Sequence, residues 1–308
     1  MPDGFLVLDK PLGWTSHDAV ARIRRLTGER HIGHAGTLDP LATGVLPLAL
    51  GRATRLVEYL SEASKTYEAT VHFGVRTTTY DLEGEFLPPS GPVFLPDRAT
   101  VEAALDRFRG PQQQVPPMHS AVWHEGQRLY ELARAGREVE RAPRAITIDR
   151  LDLLAWDPPR ACLRVDCSKG TYIRSLAYDL GEALGCGAHL AALVRTRHGP
   201  FTLDRAVTPD GLATAVAAGT WTTDWLQPPD AAVAHLPARH VDAAGARGVL
   251  HGRMLAVPAP APGEPALCRV YGPDGRLLAV MAWQPAVDCW QPLKVLAGSP
   301  DDSVERET

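Results

Sequence analysis

KTYEATVHFG, residues 65–74, alternates without a break. Tyr67, Ala69, Val71 and Phe73 fall on one side, and Thr66, Glu68, Thr70 and His72 on the other. That pattern describes a strand with one face in a core and the other toward water. ACLRVDCS, residues 161–168, repeats it with Leu163, Val165 and Cys167 inward. Parallel sheets covered on both faces use continuous apolar runs instead, and here strands and helices do not alternate strictly along the chain. The expected class is α+β: a mixed, mainly antiparallel sheet with flanking helices.

Outward from these strands, residues 4–9 read as a short first strand. A helical pattern runs from His17 to Thr27 with Ala19, Val20, Ile23 and Leu26 on one face; Ser16 is the expected N-cap and Gly28 the stop. Arg22, Arg24 and Arg25 lie off that stripe and should be solvated. Further helices are expected at about 100–109, 127–135 and 172–184, the last with Ile173, Leu176, Ala177, Leu180 and Leu184 as its apolar stripe. Pro- and Gly-rich stretches near 87–96 and 256–265 read as loops. QPPDAA (227–232) marks a boundary between a large unit, 1–230, and a small β-rich unit, 231–298. Within the latter, GPDG (272–275) between CRV and RLLAVMAW signals a hairpin. The tail 299–308 is polar and expected to be disordered.

The 308 residues are 45% hydrophobic and 22% charged, an ordinary globular composition. No apolar run approaches the ~18 residues of a membrane helix, and the N-terminus carries acids and only a brief apolar stretch, so a cytoplasmic protein is expected. Five cysteines without a CxxC pair fit neither a disulfide framework nor a zinc site and read as small buried hydrophobes. The net charge of −4 argues against a uniformly basic nucleic-acid binder. Residues 160–205 nevertheless carry seven Lys/Arg against four Asp/Glu, and screening lets a local basic surface act alone. Of 32 basic residues only four are lysines, and Lys10, Lys65 and Lys169 all fall in chemically dense segments. Either this is coincidence within a compositional bias, or a compact ammonium is needed where a guanidinium fork does not fit.

The densest segment is GHAGTLDPLATGVLPLALGRATR, residues 33–55. Gly33, Gly36 and Gly44 permit tight turns, and Pro40 biases Asp39 away from helix. No GK[ST] follows, and Pro47 interrupts the apolar run, which argues against a phosphate-binding P-loop. By itself the segment is a carboxylate in a rigid glycine-rich loop.

Its neighbours extend the reading. KPLGWTSHDAVARIRR (10–25), the 33–55 segment, KTYEATVHFG (65–74), QVPPMHSAVWHEGQRLYELARAG (114–136) and CSKGTYIRSLAYDLGEALGCGAHLAALVRTRHGPF (167–201) come in an ordered series. Together they resemble the bacterial tRNA pseudouridine synthase B (TruB) family over most of 4–230. The resemblance implies an isomerase that converts a uridine at position 55 in the T-arm of tRNA to pseudouridine. It makes Asp39 the catalytic aspartate, Tyr67 the aromatic stacked on the target base, and Arg174 the partner of the Asp39 carboxylate. Tyr172 and Leu193 would line the pocket, His34 would contact RNA where the extruded nucleotide leaves its stack, and Lys10 with Pro11 would brace the active-site loop. It also implies an RNA-gripping insertion at about 112–150, in which His119 and Trp123 replace an expected tyrosine and lysine. Residues 231–298 resemble a PUA-like RNA-binding domain through LHGR (250–253), the GPDG hairpin and a closing LKVLA (293–297).

Read without the family, Tyr67 is a core residue, Tyr172 and Leu193 are ordinary packing, and His34 is a loop histidine. Arg174 falls in the first turn of its helix, where a cation opposes the macrodipole and a carboxylate partner is favoured. Such a partner would keep Asp39 ionised in a buried pocket. The isomerisation exchanges no electrons, phosphate or water overall, so no cofactor or metal is expected. Arg195, Arg197 and the face of Arg128, Arg134, Arg137, Arg141 and Arg144 are candidates for backbone contacts to a folded RNA, with an ordinary solvated surface as the alternative. A stand-alone monomer acting on tRNA, with no protein partner, is the leading expectation. Its rivals are an RNA-binding protein without catalysis and a guide-dependent enzyme.

Overall fold

The computed structural model describes residues 2–89 and 92–296, so the tail 299–308 and Ala297 of the closing segment lie outside the described residues. Ten strands form one sheet: β1 (Gly4–Lys10), β2 (Ile32–His34), β3 (Ala42–Leu50), β4 (Lys65–Phe73), β5 (Gly110–Gln114), β6 (Arg144–Asp157), β7 (Arg160–Cys167), β8 (Ala188–His198), β9 (Phe201–Thr202) and β10 (Leu226–Gln227). Their spatial order is β10-β1-β3-β8-β4-β7-β6-β5, with β2 beside β3 and β9 beside β8. Only β3 and β8 pair in parallel; the remaining ladders are antiparallel. This is the mixed, mainly antiparallel α+β sheet expected from the alternation of β4 and β7.

The two ends of the sheet are buried differently, and the sequence pattern follows. In β4 and β7, Tyr67, Ala69, Val71, Leu163, Val165 and Cys167 enter one core under the helices, while Glu68 on the other face is exposed. In β1, Leu6 and Leu8 enter that same core, whereas Phe5 and Val7 enter a second core on the opposite face. A strand buried on both faces loses its polar half, which is why GFLVLD and ATGVLPLAL do not alternate. The long strand β3 was therefore not expected, and Pro47 sits inside it. Pro47 lies between Gly44, where pairing with β8 ends, and Leu48, where pairing with β2 begins. A residue without an N–H is tolerated at such a gap.

Five helices reach eight residues among those described: α1 (Ser16–Thr27), α2 (Arg98–Leu105), α3 (Ile173–Ala183), α4 (Pro209–Ala218) and α5 (Ala243–Leu250). The N-cap of α1 is Thr15, not Ser16: its hydroxyl accepts from the Asp18 amide at 3.0 Å in a capping box. Ser16 is inside the helix and buried, which frees its hydroxyl for another task. Gly28 closes α1 in the left-handed conformation, as expected. The helix expected at 127–135 is only Leu129–Arg134, because a two-stranded hairpin, Trp123–His124 with Gln127–Arg128, uses the preceding residues.

A second sheet, β11 (Ala238–His240), β12 (Leu267–Tyr271), β13 (Leu277–Gln284) and β14 (Cys289–Val295), is ordered as numbered, and the GPDG turn joins β12 to β13. It has its own core around Val249, Cys268, Val270, Met281 and Trp290. Val280 and Leu296 join Phe5, Val45, Leu56 and Phe201 in the second core of the large sheet, and Lys294 pairs with Glu58 at 3.1 Å. Cys167, Cys186 and Cys268 are buried, while Cys162 and Cys289 are partly exposed.

Candidate active site

The loop that carries Asp39 leaves β2 and returns as β3, and three external contacts hold it. The Ser16 hydroxyl accepts from the Leu38 amide at 2.9 Å and donates to the Leu38 carbonyl at 3.2 Å. The Gly13 amide donates to the Pro40 carbonyl at 2.9 Å. From below, the Arg195 guanidinium donates to the carbonyls of Gly36 (2.9 Å) and Val45 (2.7 Å). Glycine is required at both ends of this seat. Gly36 and Gly44 have φ of +71° and +94°, and a Cβ at Gly44 would stand 2.4 Å from the Arg195 carbonyl oxygen.

Arg174 comes from the first turn of α3. Its Nη2 lies 2.9 Å from Asp39 Oδ2 and donates to the His119 carbonyl at 2.8 Å, while Nη1 lies 3.6 Å from Asp81 Oδ2. The Arg174 side chain is 7% exposed and that of Asp81 2%, but the Asp39 side chain is 43% exposed. The carboxylate expected in a buried pocket is thus open to solvent, on a buried cation. Asp81 was missed from sequence: TTTYDLEGE reads as a polar turn, and only its side-chain burial sets it apart. It also accepts from the Thr79 hydroxyl and from the Glu83 amide at 3.0 Å. Two opposing carboxylates offset the cost of an arginine at a helix N-terminus.

The start of α3 is pinned by Gln114, whose amide accepts from the Tyr172 N–H at 2.8 Å and donates to its carbonyl at 3.0 Å. The Ser175 hydroxyl donates to the Val115 carbonyl at 2.8 Å. The 114–120 segment is therefore fastened to the start of α3 beside Arg174. His119 contributes its carbonyl to Arg174, a contact that does not depend on its side chain, so its departure from the family's tyrosine leaves this link intact.

Tyr67 is buried, directly across the ladder from Arg195. Burial raises its phenol above the usual value, the adjacent guanidinium of Arg195 opposes this, and Asp39 adds to it. Tyr172, the N-cap of α3, is raised by burial, and Asp39 acts on it in the same direction. Lys10 is fully buried; its ammonium donates to the carbonyls of Pro11 (3.0 Å) and Trp14 (2.6 Å), bracing the turn that holds Pro40. Burial lowers Lys10 to about 8, partly opposed by Asp39. Leu193 is buried between Ala42 of β3 and Ala69 of β4. The structure thus gathers Arg174, Tyr67, Tyr172 and Lys10 within electrostatic reach of Asp39. His34 stands apart on β2: its ring meets His17 edge-on at 5.5 Å, and its lowered pKa reflects burial, then His17 and Arg195.

Two expected RNA contacts are corrected. Arg195 is 1% exposed. Arg197 is spent on the hydroxyls of Thr66 (3.0 Å) and Ser64 (3.2 Å) and on the Gly199 carbonyl. Parity held the signal, since Arg195 lies two residues from inward-facing Leu193. Arg134, Arg137 and Arg144 are exposed, but Arg141 is partly buried against the Pro116 carbonyl at 3.2 Å. Lys65 is buried with its ammonium on the carbonyls of Ala63 (2.9 Å) and Ser61 (3.4 Å). Two of the four lysines are therefore interior. Among the described residues no group of three or more His, Cys, Asp or Glu is placed to hold a metal ion, and no helix is long and apolar enough to cross a membrane.

The fold is that of the pseudouridine synthases, a class of isomerases. It matches the chain titled "Structure of H/ACA RNP bound to a substrate RNA containing 2'-deoxyuridine" at TM-score 0.74 and 27% identity, covering 96% of this chain and 86% of that one. A Cbf5-Nop10-Gar1 complex matches at TM-score 0.74 and 29% identity, with 96% and 85% covered. Within that class the chain belongs to the TruB family. The model of the TruB family pseudouridylate synthase N-terminal domain matches residues 24–173, and that of the tRNA pseudouridylate synthase B C-terminal domain matches 174–234. The tRNA pseudouridine synthase B of Ralstonia nicotianae is 50% identical over 292 residues, 92% of this chain and 91% of that protein. That of Burkholderia lata is 52% identical over 281 residues, with 90% and 86% covered. The two family models meet at Arg174, yet β8 from the second lies between β3 and β4 from the first. The site needs both.

Proposed function

We propose that this enzyme converts uridine to pseudouridine at position 55 in the T-arm of tRNA, with Asp39 as the reacting carboxylate. The single observation that carries the reading is the Asp39–Arg174 pair, 2.9 Å apart, with Asp39 open to solvent and Arg174 buried behind it. The reaction breaks the bond from base N1 to ribose C1′, turns the base, and joins C5 to C1′. The C5 proton leaves and N1 gains one, so no redox partner enters the balance. A carboxylate in this place can attack C1′ or take a ribose proton.

The target base must first leave its stack, at a cost of a few kcal/mol. Tyr67 is the proposed platform and offsets about 1–3 kcal/mol of that cost by stacking. Tyr172 and Leu193 line the pocket, His34 meets the RNA beside it, and Lys10 braces the Asp39 loop. Exposed Arg134, Arg137 and Arg144 in the insertion at about 112–150 face the phosphates, and the 231–298 unit acts as a PUA-like RNA-binding domain. All these groups come from one chain, so a cytoplasmic monomer suffices.

The test uses a tRNA transcript tritiated at uridine C5. Wild type should release tritium to water and Asp39→Asn should not, with the modified site mapped to position 55. Binding of the transcript without release by the wild type would overturn the reading in favour of an RNA-binding protein.

A further inference from the structure

Arg195 is the most completely buried arginine among the described residues, and no carboxylate there pairs with it. An interior guanidinium with no counter-ion is expensive, and its cost is tolerated where its geometry is needed. Its donors point to three carbonyls. Nη2 and Nη1 reach Gly36 (2.9 Å) and Thr37 (3.5 Å), on the chain entering the Asp39 turn. Nε reaches Val45 (2.7 Å), on the chain leaving it. The rigid fork therefore spans both arms of the loop, and its backbone pairs with Gly44 on one side and Tyr67 on the other.

From this geometry we infer that Arg195 is a positioning residue: it clasps the two arms of the Asp39 loop and sets them against Tyr67, fixing the carboxylate relative to the stacked base. Its charge touches neither substrate nor Asp39. The inference rests on the proposed reaction for its kinetic readout but not for its structural one. Lysine cannot substitute, because one ammonium nitrogen cannot reach Gly36 and Val45 together in the geometry of a planar fork. Gly36 and Gly44 are part of the same device, since a side chain at Gly44 would strike the Arg195 backbone and one at Gly36 would press on His198 at 2.7 Å. The guanidinium also adjoins the Tyr67 hydroxyl.

The test compares full-length wild type, Arg195→Lys, Arg195→Met and Val270→Ala, the last a core change in the second sheet. Arg195→Lys should bind tRNA within about threefold of wild type, yet release tritium about a hundredfold more slowly in single turnover, as expected of a misplaced reacting group. Amide hydrogen exchange should quicken across residues 35–45 and stay unchanged in β13. Val270→Ala should lose thermal stability and keep its single-turnover rate. If Arg195→Met does not fold, Arg195→Lys alone decides. An Arg195→Lys rate within about threefold of wild type would overturn the inference. So would unchanged exchange at 35–45, or an equal rate loss in Val270→Ala. If wild type releases no tritium, the proposed reaction fails while the exchange data still decide the role of Arg195.

Discussion

Arg174 joins Asp39 to Asp81: one terminal nitrogen lies 2.9 Å from the first carboxylate and the other 3.6 Å from the second. Only Asp39 is open to solvent, so the interior pair orients the exposed one. Arg174→Lys keeps a charge but cannot fork between two carboxylates. Single-turnover tritium release should fall about a hundredfold, with tRNA affinity little changed. Arg174→Ala would leave Asp81 buried and unpaired, and denaturant unfolding should show a loss of about 3–5 kcal/mol.

His198 carries a pH dependence. It is fully buried beside Arg195 and Lys65, and its ring N–H donates to the Leu60 carbonyl at 2.8 Å. Burial first, then those cations, lower its pKa from the ordinary 6.5 to about 3. The unfolded chain takes a proton below 6.5 and the folded one does not until about 3, so acid favours unfolding across that window. The slope from this one group approaches 1.4 kcal/mol per pH unit, roughly its full proton. Asp179, raised to about 6 by burial, acts in the opposite sense, so the check is a difference. His198→Gln, which can still donate to Leu60, should show a shallower fall in melting temperature between pH 6.5 and 4 than wild type.

The alternation of β4 and β7 was readable because those strands bury one face only. β3 was not, since burial on both faces removed its period and left a glycine and a proline as its visible features. Asp39, Tyr67 and Arg174 stood out through the ordered blocks around them, and only Arg174, a cation in a helix's first turn, had a local argument beside it. Asp81 and Arg195 escaped for a shared reason: charged residues are presumed solvated, and only the packed structure reveals partners 93 and 158 positions away for Arg174–Asp81 and Arg195–Thr37. In the case of Arg195 its parity with Leu193 contained the answer.

Gly44→Ala tests the close approach of β3 to β8. The added Cβ would meet backbone oxygen at 2.4 Å, from a φ of +94° that L side chains avoid. Both faults lie in rigid ladder backbone, so a loss above about 2 kcal/mol is expected in denaturant unfolding. Gly248→Ala is the contrast. It sits within α5, where the nearest atom to a new Cβ is 3.8 Å away, and should gain about 0.4–1 kcal/mol.

Trp123 is 60% exposed on the short hairpin after the 114–120 segment, with the Arg128 guanidinium 4.0 Å from its ring centroid. A large aromatic is seldom left open to water, and Arg134, Arg137 and Arg144 stand exposed further along the same stretch. An indole with a cation on one face offers a platform to a base splayed from an RNA loop. Trp123→Ala should weaken tRNA binding by about 1–3 kcal/mol, fivefold or more, while single-turnover release at saturating enzyme stays near wild type. Trp123→Phe should recover much of the affinity because it restores a stacking face. Equal affinity of wild type and Trp123→Ala for the same transcript, measured by filter binding at one fixed salt concentration, would remove this residue from the RNA interface.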